Sequence, residues 1–457
     1  MVTYAGSKVC AVDAQPLAGR ALHFIGVGGA GMSGLALVAK ALGARVSGSD
    51  RAESAYSARL REHGIEPAVG HDAANLPPDA EVVISTAIPE TNPELAAARA
   101  GGLAVRHRAE LLGEIARLKR AIAVSGTHGK TTTTAMIVQA LQSAGRDPAY
   151  LVGAQLRSTA ANAGWGEGEW IVIEADESDR SFLHLPREVA VVLNSELDHH
   201  ATYRSLSELE EAFRAFAAPA QTRIGGPEVT LEGAITFGID TGDLRAEGVE
   251  LRPLGSRFSV EGVAIELAVP GRHNVLNALA ALAACRAAGV EPAEAAPGLA
   301  AFQGAGRRFE ERGRTPSGAR VFDDYAHHPT EVRATLEAAH TLEAERVVAC
   351  FQPHLYSRTQ ELAREFGLAL SLADLVVVLD VYPARELAED YPGVSGFTVA
   401  RAAADATGGR PVWWLPTIAG AAERLKTELG EGDVVLTLGA GDVDTLASAL
   451  IDRGGAP

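Results

Sequence analysis

Short apolar runs alternate with helical patterns almost from end to end, an arrangement that predicts parallel α/β layers. The first run, 22–27, turns through glycines into a helical pattern over 32–42. A second run, 45–49, ends at Asp50, and a third, 81–85, leads into the segment 86–93. The charged helical stretch 110–120 reads as a connector to a second unit, which opens with a strand at 121–124 and the loop 125–131. Strands at 170–174 and 189–194 follow. Between Pro227 and Pro270 the pattern shortens, with turn signals at Glu232-Gly233, Thr241-Gly242 and Glu261-Gly262. That pattern predicts an antiparallel insertion ahead of a helix over 274–287. Near 304–308 the chain crosses into a third unit with strands at 320–322, 346–351, 375–379, 412–414 and 434–438. The expected organisation is three α/β domains, 1–117, 118–309 and 310–457.

Length and charge sharpen this picture. A chain of 457 residues that is 47% apolar suits three domains better than one. A formal net charge of −17, from 58 acidic and 41 basic side chains, speaks against nucleic acid as a partner, since polyanion binding needs clustered Lys and Arg. Acidity leaves a nucleotide substrate possible, because glycine-rich loops and helix N-termini hold phosphates locally. Cys10, Cys285 and Cys350 are far apart, with neither disulfide-framework nor zinc spacing, which fits a reducing compartment. Residues 1–20 lack the apolar central run of a signal peptide, and no stretch approaches the roughly 20 apolar residues of a membrane span. The expectation is a cytoplasmic protein with no membrane partner. Homo-oligomerisation stays open.

Candidate chemistry clusters at strand ends. Gly26, Gly28, Gly29, Ala30 and Gly31 follow a strand and open a helix in the G-x-G-x-x-G pattern, with Asp50 closing the next strand. That is the dinucleotide fingerprint, in which glycines let the backbone approach a pyrophosphate. The same glycines would also serve a tight strand-to-helix turn, and the motif leaves open what carries the phosphates. In the loop Ser125, Gly126, Thr127, His128, Gly129, Lys130, Thr131, the lysine supplies a point charge for phosphates and the Thr131 hydroxyl a Mg²⁺ ligand. The loop is shorter than the standard pattern, which would want glycine where Val124 stands.

Glu174, Asp176, Glu177 and Asp179 crowd the end of another strand, where a cation would offset their repulsion. The next strand ends in Glu196, Asp198, His199 and His200. A solvated acidic loop and a surface histidine are the plainer alternatives. Asn274 and Asn277 share a face at a helix start, where Asn274 could be a cap. Arg307–Glu310 and Asp323–Pro329 flank the third crossing, where polar clusters line clefts or remain exposed pairs.

Taken in order, GVGGAGMSG, STAIP, SGTHGKTTT, EADESD, NSELDHH, GRHNVLNALAA, GAGRRFE and DDYAHHPTE resemble the Mur ligase family over nearly the whole chain. The segment FQPHLYSR at 351–358 is similar to the signature of its L-alanine-adding members. The resemblance implies an N-terminal Rossmann-like UDP-binding domain, a central P-loop-type ATPase domain and a C-terminal Rossmann-like domain. It reassigns the fingerprint to a UDP-sugar, with Gly28, Gly29, Ala30, Gly31, Met32, Asp50, His71, Ser85, Thr86 and Ala87 as its contacts.

By the same resemblance, ATP falls to Gly126, Thr127, His128, Gly129, Lys130, Thr131, Thr132, Asn277, Arg308 and Asp324, and Mg²⁺ to Thr131, Glu174 and His199. Lys130, Glu174, His199, Asn277, Arg308 and Asp324 become the expected catalytic set, while Tyr325, His327, Tyr356, Arg358 and Arg385 stand near the muramoyl and amino-acid end. The expected reaction joins L-alanine to the carboxyl of UDP-N-acetylmuramate, using ATP and an acyl phosphate. Two places depart from the family pattern: Gly153-Ala154-Gln155 stands where a Gly-Gly pair is usual, and 382–386 lacks the familiar Ala-Gly-Glu form, although Arg385 and Glu386 still suit the alanine end. A recycling ligase on the same UDP-sugar and, from another class, an NAD-dependent oxidoreductase are the alternatives.

Overall fold

The structure is a computed structural model that describes residues 15–200 and 202–451. Cys10 and the start of the 1–20 segment lie outside the described residues. Three sheets organise the chain. The first has five parallel strands in the order 68–69, 45–50, 21–25, 81–84, 105–107. The second has ten strands, and its parallel heart runs 189–192, 120–125, 170–174, 149–156. The third has six, with 320–324, 433–438, 346–351, 375–378 and 412–414 parallel and the antiparallel strand Glu310–Arg314 at one edge.

The strand Arg120–Ser125 shows why these runs form such sheets. Ile122 and Val124 enter one core while Ala121 and Ala123 enter the other, so a two-residue period feeds apolar groups to both faces. On one face pack the helices Lys130–Ser143 and Arg272–Ala287. The other face is continuous with the core around the helix Ala30–Ala41, so the first and second sheets share one apolar layer. The strands 170–174, 346–351 and 412–414 fall where the sequence placed them, and the remaining predicted strands shift by a residue or two.

Two expectations change. The stretch 110–120 is no free connector: the helix Arg108–Ala116 buries Leu111, Ile115 and Ala116 in the shared core, and the next strand starts at Arg120. The insertion is antiparallel only over the strands Leu244–Arg252, Gly255–Val260 and Val263–Leu267. The strand Ile235–Ile239 pairs in parallel with both Thr222–Gly225 and Leu244–Arg252. Asp240 (φ 60°) and Gly242 (φ 84°) coil the link left-handedly, so the chain returns beside itself instead of making a hairpin.

The contact that orients the first sheet on the second is close. A side chain on Gly34, in the helix Ala30–Ala41, would sit 3.1 Å from Ala163 Cβ and 3.2 Å from Asn162 Nδ2. Gly34→Leu should therefore lower the unfolding free energy by about 1–3 kcal/mol through overpacking, as measured by urea denaturation. An unchanged midpoint would show that this joint is loose.

Candidate active site

The loop after the strand Arg120–Ser125 is shaped by two glycines that no other residue replaces without strain. Gly126 has φ 130°, and a Cβ there would lie 2.9 Å from Leu193 N. Gly129 has φ 83° and caps the helix Lys130–Ser143 without a side chain, with Asn277 Oδ1 only 2.4 Å from where its Cβ would be. Lys130 Nζ folds into this loop, donating to Gly126 O (2.7 Å), Thr127 O (3.0 Å) and Glu177 Oε1 (3.0 Å). Burial opposes its charge, yet Glu177, Asp176 and Glu174 together raise its pKa above the ordinary lysine value.

The carboxylates at the neighbouring strand end divide into distinct roles. Glu174 accepts the Thr131 hydroxyl (2.9 Å) and the Gly153 N–H (2.6 Å), and burial raises its pKa. Gly153 stands inside the strand Ala149–Leu156, and a side chain there would come within 2.7 Å of Glu174. His199, held at φ 55°, faces Glu177 Oε1 at 3.4 Å. Ligand atoms of Asp176, Glu177 and His199 lie within 4.8 Å of one another. The structure thus places Asp176 and Glu177, besides the expected Thr131, Glu174 and His199, around Lys130.

The third unit closes over this floor. His128 Nε2 meets Glu196 Oε2 (2.9 Å) and its Nδ1 meets Glu331 Oε1 (3.2 Å), while Thr330 Oγ1 donates to Glu196 Oε1 (2.6 Å). Arg358 donates from Nε and Nη2 to Asp198 at 3.0 and 2.9 Å, and this pair is almost wholly buried. Burial would raise the Asp198 pKa, but Arg358 and then His199 hold it well below the carboxylate range. Arg358 opens the helix Tyr356–Leu370 with Tyr356.

Beside this pair runs an aromatic row: Tyr325 edge-on to His327 (5.3 Å), His327 near His354 (6.1 Å), and His354 stacked on Tyr382 (5.7 Å). Burial lowers His327 to about 4 and His354 to about 3, so both rings are neutral. The Arg307 and Arg308 guanidiniums lie 5.3 and 5.1 Å from the Tyr325 ring. Asp324 accepts the Phe309 and Ala326 N–H groups (2.7 and 2.8 Å), and burial raises its pKa to about 6.

Between the second and third sheets opens a cavity of about 840 Å³. Of the expected residues, His128, Gly129, Thr132, Asn277, Arg308 and Asp324 line this cleft, which stays open to solvent. The fingerprint loop lies elsewhere, on the first sheet. Asp50 Oδ2 accepts the Gly28 N–H (2.8 Å), so this acid braces the loop itself. Ser85 is half-buried with Thr86 and Ala87 exposed beyond it, Met32 points into the core, and His71 reaches Ser49 Oγ at 3.0 Å. Gly29 and Gly31 are exposed at the loop's mouth, with Arg108 close to Gly31.

Two readings are corrected here. Asn274 is not the helix cap: Gly271 (φ 98°) is, and Asn274 bridges Pro270 O (2.7 Å) to Asn277 Nδ2 (3.1 Å). Arg307 with Asp323 is no exposed pair, since Asp323 is fully buried at 2.8 Å from the guanidinium. Glu386 is not free in its loop: it accepts the Ser357 N–H (2.9 Å) and hydroxyl (2.5 Å) between Tyr356 and Arg358, while Arg385 is exposed. Sequence reasoning missed Asn162, which donates to Ala30 O (2.7 Å) across the first joint, and Tyr56, whose pKa burial, Tyr325 and Glu174 raise to about 12. Neither carries a motif that could have flagged it.

A glycine–lysine loop on a parallel sheet, a carboxylate-rich strand end beside it and a cavity walled by a further α/β unit define a multidomain P-loop-type protein built for phosphate chemistry. Family descriptions match along its length: "Mur ligase family, catalytic domain" over 21–120, "Mur ligase middle domain" over 124–285, and "Mur ligase, glutamate ligase domain" over 307–441. The chain belongs to the Mur ligase family.

It is 45% identical to the UDP-N-acetylmuramate–L-alanine ligase of Renibacterium salmoninarum, a match covering 94% of this chain and 95% of that one. The solved UDP-N-acetylmuramate-alanine ligase of Thermotoga maritima superposes with a TM-score of 0.83 at 30% identity, covering 95% and 98% of the two chains. A murein peptide ligase from Psychrobacter arcticus gives 0.71 at 26% identity, covering 95% and 99%.

The His128 bridge has a pH signature. Burial alone would lower this histidine's pKa, but Glu196 and Glu331 raise it from 6.5 to about 9. A pKa raised on folding gives stability that is complete below about 6.5 and lost as pH climbs through about 9. The stability difference between the protein and its His128→Gln variant, from thermal melts, should shrink across that window. A constant difference would mean the ring is uncharged.

Proposed function

We propose that the chain is an ATP-dependent ligase that joins L-alanine to the lactyl carboxyl of UDP-N-acetylmuramate, with domains 1–117, 118–309 and 310–457 serving UDP-sugar, ATP and amino acid. The cavity between the second and third sheets carries the reading, because it brings His128, Gly129, Thr132, Asn277, Arg308 and Asp324 to one nucleotide-sized space. The kinship with ligases of this name supports the choice of substrates. Among the described residues no helix is long and apolar enough to cross a membrane.

A carboxylate is a poor acyl donor. One of its oxygens attacks the γ-phosphorus of ATP, ADP leaves with the bridging oxygen, and an acyl phosphate forms. The free amine of L-alanine adds to the acyl carbon, giving a tetrahedral intermediate. Inorganic phosphate departs with the C–O bonding pair, and the nitrogen gives up its proton. Phosphoryl transfer asks mainly for charge neutralisation and alignment. Lys130 supplies a cation whose charge the surrounding carboxylates maintain despite burial.

Thr131 and Glu174, bonded to each other, and the cluster of Asp176, Glu177 and His199 offer the oxygen-rich ligands that suit a hard divalent cation such as Mg²⁺. When bound, Mg²⁺ neutralises phosphate oxygens there. Tyr325, His327, Tyr356, Arg358 and Arg385 belong to the muramoyl and alanine end. Closure of the third unit over the second would exclude water from the acyl phosphate, which would otherwise hydrolyse.

Lys130→Ala should abolish alanine-dependent phosphate release while leaving UDP-N-acetylmuramate binding nearly intact, since the fingerprint loop lies on another sheet. Calorimetry showing both affinities lost together would sink the two-site assignment. The substrate itself is tested by phosphate release with the amino acid varied: L-alanine must stimulate it, and stimulation by a preformed peptide alone would assign the recycling reaction instead.

A further inference from the structure

The first sheet hides a carboxylate that the phosphate-binding fingerprint does not explain. Glu94, in the first turn of the helix Pro93–Ala100, is fully buried. It accepts from His23 Nε2 (3.2 Å), Ser49 Oγ (2.5 Å), Asn75 Nδ2 (2.7 Å) and the Asp72 N–H (3.1 Å). Burial works against its charge, yet these donors, His23 first, bring its pKa down to about 2. A buried anion with so many donors is costly to assemble and organises whatever surrounds it.

What surrounds it is the carboxyl end of two adjacent strands, where open α/β sheets bind ligands. Ser49 lies next to Asp50 in the strand Arg45–Asp50, and His71 follows the neighbouring strand Ala68–Val69. A hydroxyl has one proton. Ser49 Oγ commits that proton to Glu94 Oε2, so toward His71 it acts as acceptor, 3.0 Å from Nδ1. Glu94 Oε1, at 3.7 Å from the same nitrogen, favours the same arrangement. In the neutral ring Nδ1 then carries the proton, and Nε2 is left with a lone pair. His71 is the partly exposed member of the chain, its side chain 20% accessible while Glu94 is wholly covered.

We propose that Glu94 is a positioning residue for the nucleotide end of the UDP-sugar: through Ser49 it fixes His71 with Nε2 as a hydrogen-bond acceptor for a donor on the uridine. This rests on the proposed function above. Two uridine groups share that donor chemistry, a ribose hydroxyl and the uracil imide N–H. Cytosine has no imide proton, so the two are separable.

The test measures binding of UDP-N-acetylmuramate, UDP and CDP by calorimetry to the full chain, its Ser49→Ala variant and its Glu94→Gln variant, with steady-state kinetics and thermal melts alongside. Losing one neutral hydrogen bond should weaken UDP-sugar binding and raise its KM by about 3- to 10-fold, with kcat and the KM for ATP nearly unchanged. A merely structural part for Glu94 would instead lower the melting temperature and kcat and leave that KM in place. Should Glu94→Gln fail to fold, Ser49→Ala decides alone. If His71 reads the imide, the preference for UDP over CDP collapses in Ser49→Ala; if it reads the ribose, both nucleotides weaken alike. The ¹⁵N spectrum of His71 should show a protonated Nδ1 in the parent protein and a shifted tautomer balance in Ser49→Ala. Unchanged UDP-sugar affinity in both variants, or a protonated Nε2 in the parent, overturns the proposal. A parent protein that binds no uridine nucleotide overturns the proposed function instead.

Discussion

Buried charge at the junction of the three sheets constrains everything else. Glu174, Asp176 and Glu177 follow one strand, Glu196 and Asp198 the next; Glu177 and Asp198 are buried and the other three half-buried. Such groups stay ionised only if cations or donors reach them. The cations come from different parts of the chain. Lys130 rises from the glycine loop, Arg108 from the helix that ends the first sheet's unit, and Arg358 and the His128–Glu331 contact tie in the third unit. Pairing the acids therefore requires the units to meet.

That requirement gives closure a chemical meaning. Breaking the Arg358–Asp198 pair would leave two nearly inaccessible charges without partners, which costs about 3–5 kcal/mol when one partner is removed outright. A moving third unit must replace these contacts with substrate or water as it opens. The neutral His327 and His354 rings and the Tyr325 face sit beside this hinge of charge, where the proposed amino-acid end would form. On the opposite side, the Asn162 hydrogen bond to Ala30 O and the tight approach of Gly34 hold the first sheet to the second, with Arg108 reaching Asp176 from a half-exposed position.

Much of the site was legible because its residues are near in sequence or held by local rules. The loop 125–131 needs glycine at 126 and 129 for backbone geometry, and lysine directly after, so its function is written into one short segment. Glu174, Asn277 and Asp324 sit at strand ends or a helix start, which apolar periodicity locates well. The insertion shows the limit. Its turn residues marked where the chain bends but not to which hand, and Asp240 and Gly242 coil it into a parallel return. Asn274 read as a cap for a similar reason, because only the path of Gly271 decides which residue begins the helix.

By itself the sequence determined the alternation of strand and helix, the order of the three sheets along the chain and the chemical identity of the phosphate loop, because each follows from contacts a few residues apart. Only the tertiary structure decided which acids face which cations. Glu177 rather than Glu174 takes up Lys130, Asp198 takes up Arg358 from 160 positions away, and Glu386 holds Ser357 between Tyr356 and Arg358. Electrostatic pairing depends on distance and burial in space, and neither is encoded at the positions that carry the charge.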